Sequence, residues 1–244
     1  MPGLHIYKNE KETCQHFAAW LSDLIAEALK KKDRFTVAVS GGDTPKALYK
    51  ILAAEYATKI DWSKVHVFWG DECFASLTND RNNTRLAIKT FIDQVPIPKE
   101  QVHVIHTDLP PEAAAKRYDQ LLRSYFRSTE STFDLVILGI GEEGNMLSLF
   151  PGNEENNEKD AWAIAVYNKQ EDLFRITLTV PVISGAAVKA FLLTGKNKED
   201  VVQQVLKGKY EPEKYPAQLI QTADKSVHWF LDEGAAGKLT KPIS

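Results

Sequence analysis

Short apolar runs alternate with longer amphipathic segments along almost the whole chain, and this alternation restricts the possible folds more than any other feature. The runs are rich in β-branched, aliphatic and aromatic residues, and most are nearly continuous rather than alternating with polar residues. Such runs are typical of strands that are covered on both faces of a sheet. The predicted strands are 35–39, 65–69, 102–105, 133–138, 162–166, 175–180, 189–194 and 227–231.

Helical periodicity fills the gaps between these runs. In the segment 13–31, Phe17 and Leu21 fall on one face while Asp23 and Glu27 fall on the other. Strands that alternate with helices imply right-handed crossovers and a mainly parallel sheet. The sequence therefore predicts an α/β fold, a single doubly wound, Rossmann-like sheet with helices on both faces, in one domain spanning 1–244. The other predicted helices are 47–57, 84–92, 112–126 and 198–206.

Composition and charge exclude several classes of protein. The chain has 244 residues and a formal net charge of −3, so no overall field favours nucleic acid or an acidic membrane surface. The two cysteines, Cys14 and Cys73, have no metal-ligand spacing and form no disulfide framework, which indicates a reducing compartment. The polar start of the sequence and the absence of a long apolar run predict a cytoplasmic protein without a membrane partner. An anionic ligand must therefore be bound by a local site.

The first candidate site is the loop Ser40-Gly41-Gly42-Asp43-Thr44-Pro45, which directly follows a predicted strand. In doubly wound sheets, ligands bind at the loops that leave the carboxyl ends of strands. Glycines allow the backbone to approach a ligand closely, and Thr44 followed by Pro45 suits the start of a helix. Free N–H groups at a helix start attract anions. We therefore predict that Ser40, Gly41, Gly42 and Thr44 bind an anionic group, although an ordinary strand-to-helix turn is also compatible with the pattern.

The second candidate site is Gly70-Asp71-Glu72-Cys73, which also follows a predicted strand. A carboxylate at such a position suits acid–base chemistry or the binding of sugar hydroxyls. We expect Asp71 at the mouth of the cleft and a structural role for Glu72. No third carboxylate stands at an obvious spacing for Mg²⁺, so the sequence predicts no metal site.

The third candidate site is the glycine-rich loop 139–145, which contains Gly141, Glu143, Gly144 and Asn145 and continues into Met146-Leu147-Ser148-Leu149-Phe150-Pro151-Gly152. Several glycines in so short a stretch indicate a special backbone path. By itself, the loop is equally compatible with a structural glycine turn that leads into a short helix.

The three loops in this order resemble the 6-phosphogluconolactonase family. The residues that carry the resemblance are SGGDTPK, VHVFWGDE, LGIGEEG, SLFPG and RITLTVP, all in the family order across roughly residues 10–230. The resemblance implies the fold of the glucosamine-6-phosphate deaminases, no cofactor, a sugar-phosphate substrate, and a monomer or small homo-oligomer. It also implies catalytic positions at Asp71, Glu143 and Asn145. Arg175 and Lys196, each beside a matched segment, are candidate partners of the substrate phosphate.

Several positions depart from the family pattern. The family usually places a histidine at the position of Asn145 and an aspartate at that of Glu143. Neutral imidazole accepts a proton near pH 7, whereas an amide does not. The family also usually has an arginine at Cys73 and a small or neutral residue at Asp43. No other histidine is an evident replacement for the base.

Three functions therefore stay open at this point. The first is hydrolysis of 6-phosphoglucono-δ-lactone to 6-phosphogluconate, in the pentose phosphate pathway, with a weakened rate. The second is sugar-phosphate binding without catalysis, which the departures favour. The third is a glucosamine-6-phosphate deaminase or isomerase reaction, which is disfavoured because the deaminases typically have Met-Asp-Glu-Tyr at the second loop, where this chain has Trp69-Gly70-Asp71-Glu72.

Overall fold

The computed structural model describes residues 3–220 and 224–240 of the chain. Within these residues, seven parallel strands form the central sheet, in the order β1-β10-β9-β6-β2-β3-β5. Its strands are β1 (Gly3–Tyr7), β2 (Phe35–Val39), β3 (Val65–Trp69), β5 (Val102–His103), β6 (Leu135–Leu138), β9 (Val188–Leu193) and β10 (Val227–Asp232). The predicted α/β class and the mainly parallel sheet are thereby confirmed.

Helices flank this sheet. The helices are α1 (Glu10–Leu29), α2 (Asp43–Glu55), α3 (Asn83–Thr90), α4 (Pro111–Tyr125), α5 (Val180–Ser184), α6 (Glu199–Lys207) and α7 (Gly237–Thr240). Helices α1 and α2 begin several residues earlier than the periodicity predicts. The Asn9 side chain accepts a hydrogen bond from the backbone N–H of Glu12 and caps α1, and Gly42 precedes the first residue of α2.

Two of the predicted strands belong to a second, smaller sheet. This antiparallel sheet has the order β4-β8-β7, with β4 at Asp71–Cys73, β7 at Ala163–Asn168 and β8 at Leu173–Leu178. The single sheet predicted from the sequence therefore needs this correction. The apolar runs did not distinguish the two sheets because strands of either one contribute buried side chains to the same core.

The core explains why the central strands are apolar throughout. All five residues of β2 are buried, and Trp69 and Phe68 of β3 are fully inaccessible. Helix α1 contributes Phe17 and Leu21 from the face that the periodicity identified. Among the described residues, no helix has both the length and the apolar character needed to cross a membrane.

Strand order places three of the loops next to one another. Strands β6, β2 and β3 are neighbours in the sheet and run parallel, so their carboxyl ends lie at the same edge. The backbone N–H of Gly70 donates to the carbonyl of Val39 at 2.7 Å, which joins the exits of β3 and β2. The candidate loops of the sequence therefore converge at one edge of the sheet.

Candidate active site

A cleft of about 490 Å³ opens at the carboxyl ends of β2, β3 and β6. All three predicted loops contribute to its wall, and the segment before α3 and the outer end of β8 complete it. From the predicted set, the cleft is lined by Ser40, Gly41, Gly42, Asp71, Gly141, Asn145 and Arg175. Thr44, Glu143, Gly144 and Lys196 do not line it.

The first loop reaches the cleft through the start of α2. Gly42 precedes the helix with a φ of 105°, a left-handed conformation that favours glycine. The helix start expected at Thr44 and Pro45 lies slightly earlier, because α2 begins at Asp43 with Gly42 as its cap residue, so Thr44 is inside the helix. The Thr44 hydroxyl lies 2.8 Å from the hydroxyl of Thr194 at the end of β9 and so ties the helix to the sheet. Ser40 is 6% exposed, and its hydroxyl has no hydrogen-bond partner among the described residues.

Asp71 is the acid at the centre of the second loop, and it is 4% exposed. Its Oδ2 accepts hydrogen bonds from Arg175 Nη2 at 2.9 Å and from the Ser148 hydroxyl at 2.7 Å. Its Oδ1 has a longer contact of 3.3 Å with Asn83 Nδ2. Burial of a carboxylate is costly unless it is paired. The Arg175 guanidinium supplies the opposite charge and fixes Oδ2 of Asp71, while Oδ1 is held more weakly.

Glu72 has the structural role that the sequence predicts for it. Its carboxylate accepts the backbone N–H groups of Asn83 at 2.6 Å and Thr84 at 2.7 Å, which begin α3. A carboxylate at a helix N-terminus also interacts favourably with the helix dipole. Burial raises the pKa of Glu72 to about 7, and the hydrogen bonds from α3 oppose that rise. Glu72 does not line the cleft.

The third loop brings Asn145 to the cleft. A Cβ atom at position 141 would lie 1.8 Å from Asn145 Oδ1, so this packing requires Gly141. Asn145 Nδ2 donates to the carbonyl of Leu147 at 3.2 Å, and Leu147 itself has a φ of 51°. A leucine rarely adopts this left-handed conformation. Glu143 and Gly144 belong to the same turn, but they do not line the cleft.

The two predicted phosphate partners differ in position. Arg175 lines the cleft, but its guanidinium also contacts Glu171 Oε2 at 3.3 Å and donates from Nε to the Ser148 hydroxyl at 2.6 Å. Each of its three nitrogens therefore donates one hydrogen bond within the protein, which uses three of its five N–H donors. Lys196 is exposed beyond the end of β9 and lies outside the cleft.

Sequence reasoning missed several residues that build the site. Lys46 and Arg81 line the cleft, as does Asn83, while Ser148 lies behind Asp71 and joins it to Arg175. Lys46 could have been found, since it directly follows Thr44-Pro45, the pair that suits a helix start after the Gly-Gly loop. Arg81 and Asn83 gave no signal, because the loop between β4 and α3 has no pattern that reveals which side chains turn inward.

Cys73 occupies the wall beside Arg175. It pairs with Arg175 across the antiparallel strands β4 and β8. Burial raises the pKa of the Cys73 thiol. The side chain is therefore a neutral thiol at pH 7, and it offers neither a cation nor a thiolate nucleophile to the cleft.

These features define an α/β protein whose candidate ligand site combines a glycine-rich helix start with a buried acid–guanidinium pair. Residues 8–229 match the sequence profile of the family described as Glucosamine-6-phosphate isomerases/6-phosphogluconolactonase. The chain therefore belongs to that family.

Several of the proteins to which this chain is similar are named 6-phosphogluconolactonases. The chain is 36% identical to the probable 6-phosphogluconolactonase 2 of Arabidopsis thaliana, with 96% of this chain and 94% of that protein covered. It is 38% identical to the 6-phosphogluconolactonase of Nostoc sp., with 87% and 88% covered. The 6-phosphogluconolactonase structure from Thermotoga maritima superposes with a TM-score of 0.83 at 26% identity, covering 95% of this chain and all of that one.

Proposed function

We propose that this protein hydrolyses 6-phosphoglucono-δ-lactone to 6-phosphogluconate. Its membership of the family and its similarity to proteins named 6-phosphogluconolactonase support this function. The single observation that carries the proposal is the convergence of the Ser40–Asp43 loop with the Asp71–Arg175 pair in one cleft. The loop offers an anion site for the phosphate, and the pair lies within the same cleft, where the sugar ring would bind.

The reaction needs no cofactor. A water oxygen adds to the lactone carbonyl carbon, the carbonyl oxygen takes up negative charge, and the ring C–O bond then breaks. The ring oxygen leaves as a hydroxyl after it receives a proton, and the water's remaining proton leaves the new carboxylic acid. The protein must therefore position water, stabilise the developing oxyanion and move a proton.

We assign the proton-accepting role to Asp71. Its Oδ2 is fixed by Arg175 and Ser148, which leaves Oδ1, with its long contact to Asn83, as the oxygen that can accept a proton. The Asn145 amide can donate to the oxyanion or orient the water, but it cannot take a proton near pH 7. Glu143 lies outside the cleft and has no direct part in this scheme.

We assign the binding of the substrate phosphate to backbone N–H groups and the Ser40 hydroxyl. We place the phosphate against Ser40, Gly41 and Gly42 at the start of α2, where the helix dipole favours an anion. Gly141 admits the Asn145 side chain to the wall of the cleft. Thr44 and Gly144 support the loops from outside the cleft rather than contacting the substrate.

A second function has an observation in its favour. Asn145 provides no general base, and loss of a positioned base typically lowers a rate by ~10²–10⁴-fold. A protein that binds sugar phosphates without turnover is therefore the rival. No feature of the cleft favours a deaminase or isomerase reaction over these two.

The decisive experiment is a lactonase assay on the natural protein. Freshly prepared 6-phosphoglucono-δ-lactone is followed by proton release, and the spontaneous rate is subtracted at each pH. A rate proportional to protein concentration supports the enzyme. Binding of 6-phosphogluconate by calorimetry without any increase above the spontaneous rate would favour the non-catalytic protein.

We also propose that the protein works in the cytoplasm, as a single-domain monomer or small homo-oligomer, and binds neither nucleic acid nor membranes. The net charge of −3 supports the last point. Cell fractionation tests the compartment, and light scattering tests the number of copies. Recovery in the membrane fraction, or a mass far above a small oligomer, would contradict these assignments.

A further inference from the structure

The charged side chains of the cleft differ in whether they are paired within the protein. Its wall carries the carboxylates Asp43, Asp71, Asp80 and Glu171 and the cations Lys46, Arg81 and Arg175. Arg175 is engaged by Asp71 at 2.9 Å and by Glu171 at 3.3 Å. A guanidinium that already neutralises two carboxylates offers little net positive charge to a phosphate. The phosphate must therefore find its charge elsewhere in the cleft.

Among the described residues, Lys46 and Arg81 are the cations of the cleft without an ion-pair partner. Neither side chain forms an ion pair or a hydrogen bond with any residue of 3–220 or 224–240. Lys46 lies in the first turn of α2, where its backbone N–H donates to the carbonyl of Gly42 at 3.1 Å. Arg81 reaches the cleft from the loop that joins β4 to α3. Both residues are exposed, so their charges cost little to maintain without a partner.

A buried polar atom in the same cleft points to the ligand's position. The Ser40 hydroxyl is buried and has no hydrogen-bond partner in the described parts of the chain. Buried polar groups without partners are rare and destabilising. A phosphate oxygen at the start of α2 would accept that hydroxyl's hydrogen bond, and it would lie on the wall to which Lys46 belongs.

We propose that Lys46 and Arg81 hold the substrate phosphate between them, with the Ser40 hydroxyl beneath it, and that Arg175 and Lys196 do not. This inference rests on the proposed function, since it names the charges that select a phosphorylated sugar. Asp80 is neutralised by Arg85, whose Nε lies 3.1 Å from Asp80 Oδ1. Asp43 has no such partner among the described residues, so it opposes the phosphate and lowers the affinity.

The test measures binding, which needs no turnover. Lys46→Gln and Arg81→Gln are titrated with inorganic phosphate by ³¹P NMR and with 6-phosphogluconate by calorimetry. Each substitution removes one charge-assisted contact, so the dissociation constant should rise about tenfold for both ligands. In the lactonase assay KM should rise with little change in kcat. Asp43→Asn should lower both dissociation constants by a few-fold.

Lys50→Gln is the matched control, because Lys50 is exposed one turn further along α2 and does not line the cleft. It should leave every constant unchanged, as should Lys196→Gln. The proposal is overturned if Lys46→Gln and Arg81→Gln both bind phosphate as the natural protein does, or if Lys196→Gln shows the tenfold loss instead. A natural protein that binds phosphate through these residues but has no lactonase activity would contradict the proposed function and leave this inference standing.

Discussion

Four of the six imidazoles form two pairs at the edges of the central sheet, while no histidine of the described residues lines the cleft between those edges. His5 on β1 and His228 on β10 form a pair at one edge, with nitrogens 3.4 Å apart. His66 on β3 and His103 on β5 form a pair at the other edge, 3.2 Å apart. In the cleft, the titratable residues are carboxylates, cations and one thiol.

The two environments use ionisable groups for different purposes. Burial lowers the pKa of all four paired histidines, and that of His103 falls to about 4. These rings are neutral at pH 7 and act as packing groups, with His103 stacked on Phe68 at 4.4 Å. In the cleft, by contrast, Asp71 and Arg175 pair with each other at 2.9 Å. In the proposed mechanism, proton transfer in the cleft therefore depends on a carboxylate.

The largest effect should follow from Asp71→Asn, which removes the carboxylate of the cleft. We expect turnover to fall by ~10²–10⁴-fold, the range for a lost general base. Arg175 would also lose its main partner, and breaking a buried pair costs about 3–5 kcal/mol of the free energy of unfolding. Lactonase kinetics and urea unfolding measure the two effects separately.

Glu171→Gln is the control for that variant. It removes the other, more exposed carboxylate partner of Arg175, at 3.3 Å, and should change turnover and stability only slightly. If Asp71→Asn folds and turns over like the natural protein, then the base lies elsewhere and the assignment of Asp71 is wrong.

Asn145→His would place an imidazole in the cleft and so remove the contrast between cleft and edges. We expect turnover to rise by about 10–100-fold, less than the ~10²–10⁴-fold effect of a fully positioned general base. The full range is out of reach because Glu143, at the position of the family's aspartate, does not line the cleft and so does not orient the ring there. The pH profile of kcat should gain an inflection near pH ~6.5 that the natural protein lacks.

Asn157→His is a suitable control, since Asn157 is exposed and outside the cleft. It adds a histidine without adding a base and should alter neither the rate nor the pH profile. Efficient natural turnover that Asn145→His leaves unchanged would mean that the cleft already has a sufficient base.

The same contrast shows what the sequence could predict. Apolar runs located β2 and β3 to the residue, because strands covered on both faces exclude polar side chains. They missed β1 at the sheet's edge, where burial is partial. They also missed β4, because Asp71 and Glu72 are charged residues that are nevertheless buried in a strand paired with β8. Strands β7 and β8 were found but placed in the wrong sheet, since a buried run does not reveal its neighbour.

The candidate site was predictable where backbone chemistry decides it. Glycine-rich turns after strands located Ser40, Gly42 and Asn145 at the cleft. Side-chain pairs and side-chain positions were not predictable, because they depend on distances in the folded protein between residues that are far apart in the sequence. The engagement of Arg175 by Asp71 and the inward position of Arg81 are of this kind.

A smaller effect should follow from Glu72→Gln, which affects stability rather than chemistry. Glutamine supplies one acceptor oxygen where glutamate supplies two, so a backbone N–H of Asn83 or Thr84 loses its partner. We expect a loss of about 1–3 kcal/mol in the free energy of unfolding. Because the pKa of Glu72 is raised to about 7, the folded state binds more protons than the unfolded state between pH 4.5 and 7. Its contribution to stability therefore falls as pH rises through that window.

Urea unfolding at several pH values checks both statements. The variant should be less stable at pH 5 and should lose the decline toward pH 7. Glu154→Gln, at an exposed acid outside the cleft, serves as the control. A variant whose stability follows the same pH curve as the natural protein would show that Glu72 does not titrate in that window.

The smallest effect should come from the histidine pair at the β3–β5 edge, and its pH dependence has the opposite sign. His103 has a pKa lowered to about 4 by burial, by His66 and by Arg34. Between pH 6.5 and 4 the unfolded state binds a proton that the folded state does not, so the pair stabilises the protein above this window and loses that contribution as pH falls.

His103→Gln keeps a polar group near His66 and should cost under about 1 kcal/mol at pH 7. It should also make the decrease in stability from pH 6.5 to pH 4 shallower. His106→Gln, at a partly exposed histidine beside Asp108, is the matched control and should leave that decrease as it is. Equal slopes for His103→Gln and the natural protein would mean that the edge imidazoles do not resist protonation, and the contrast between edges and cleft would then fail.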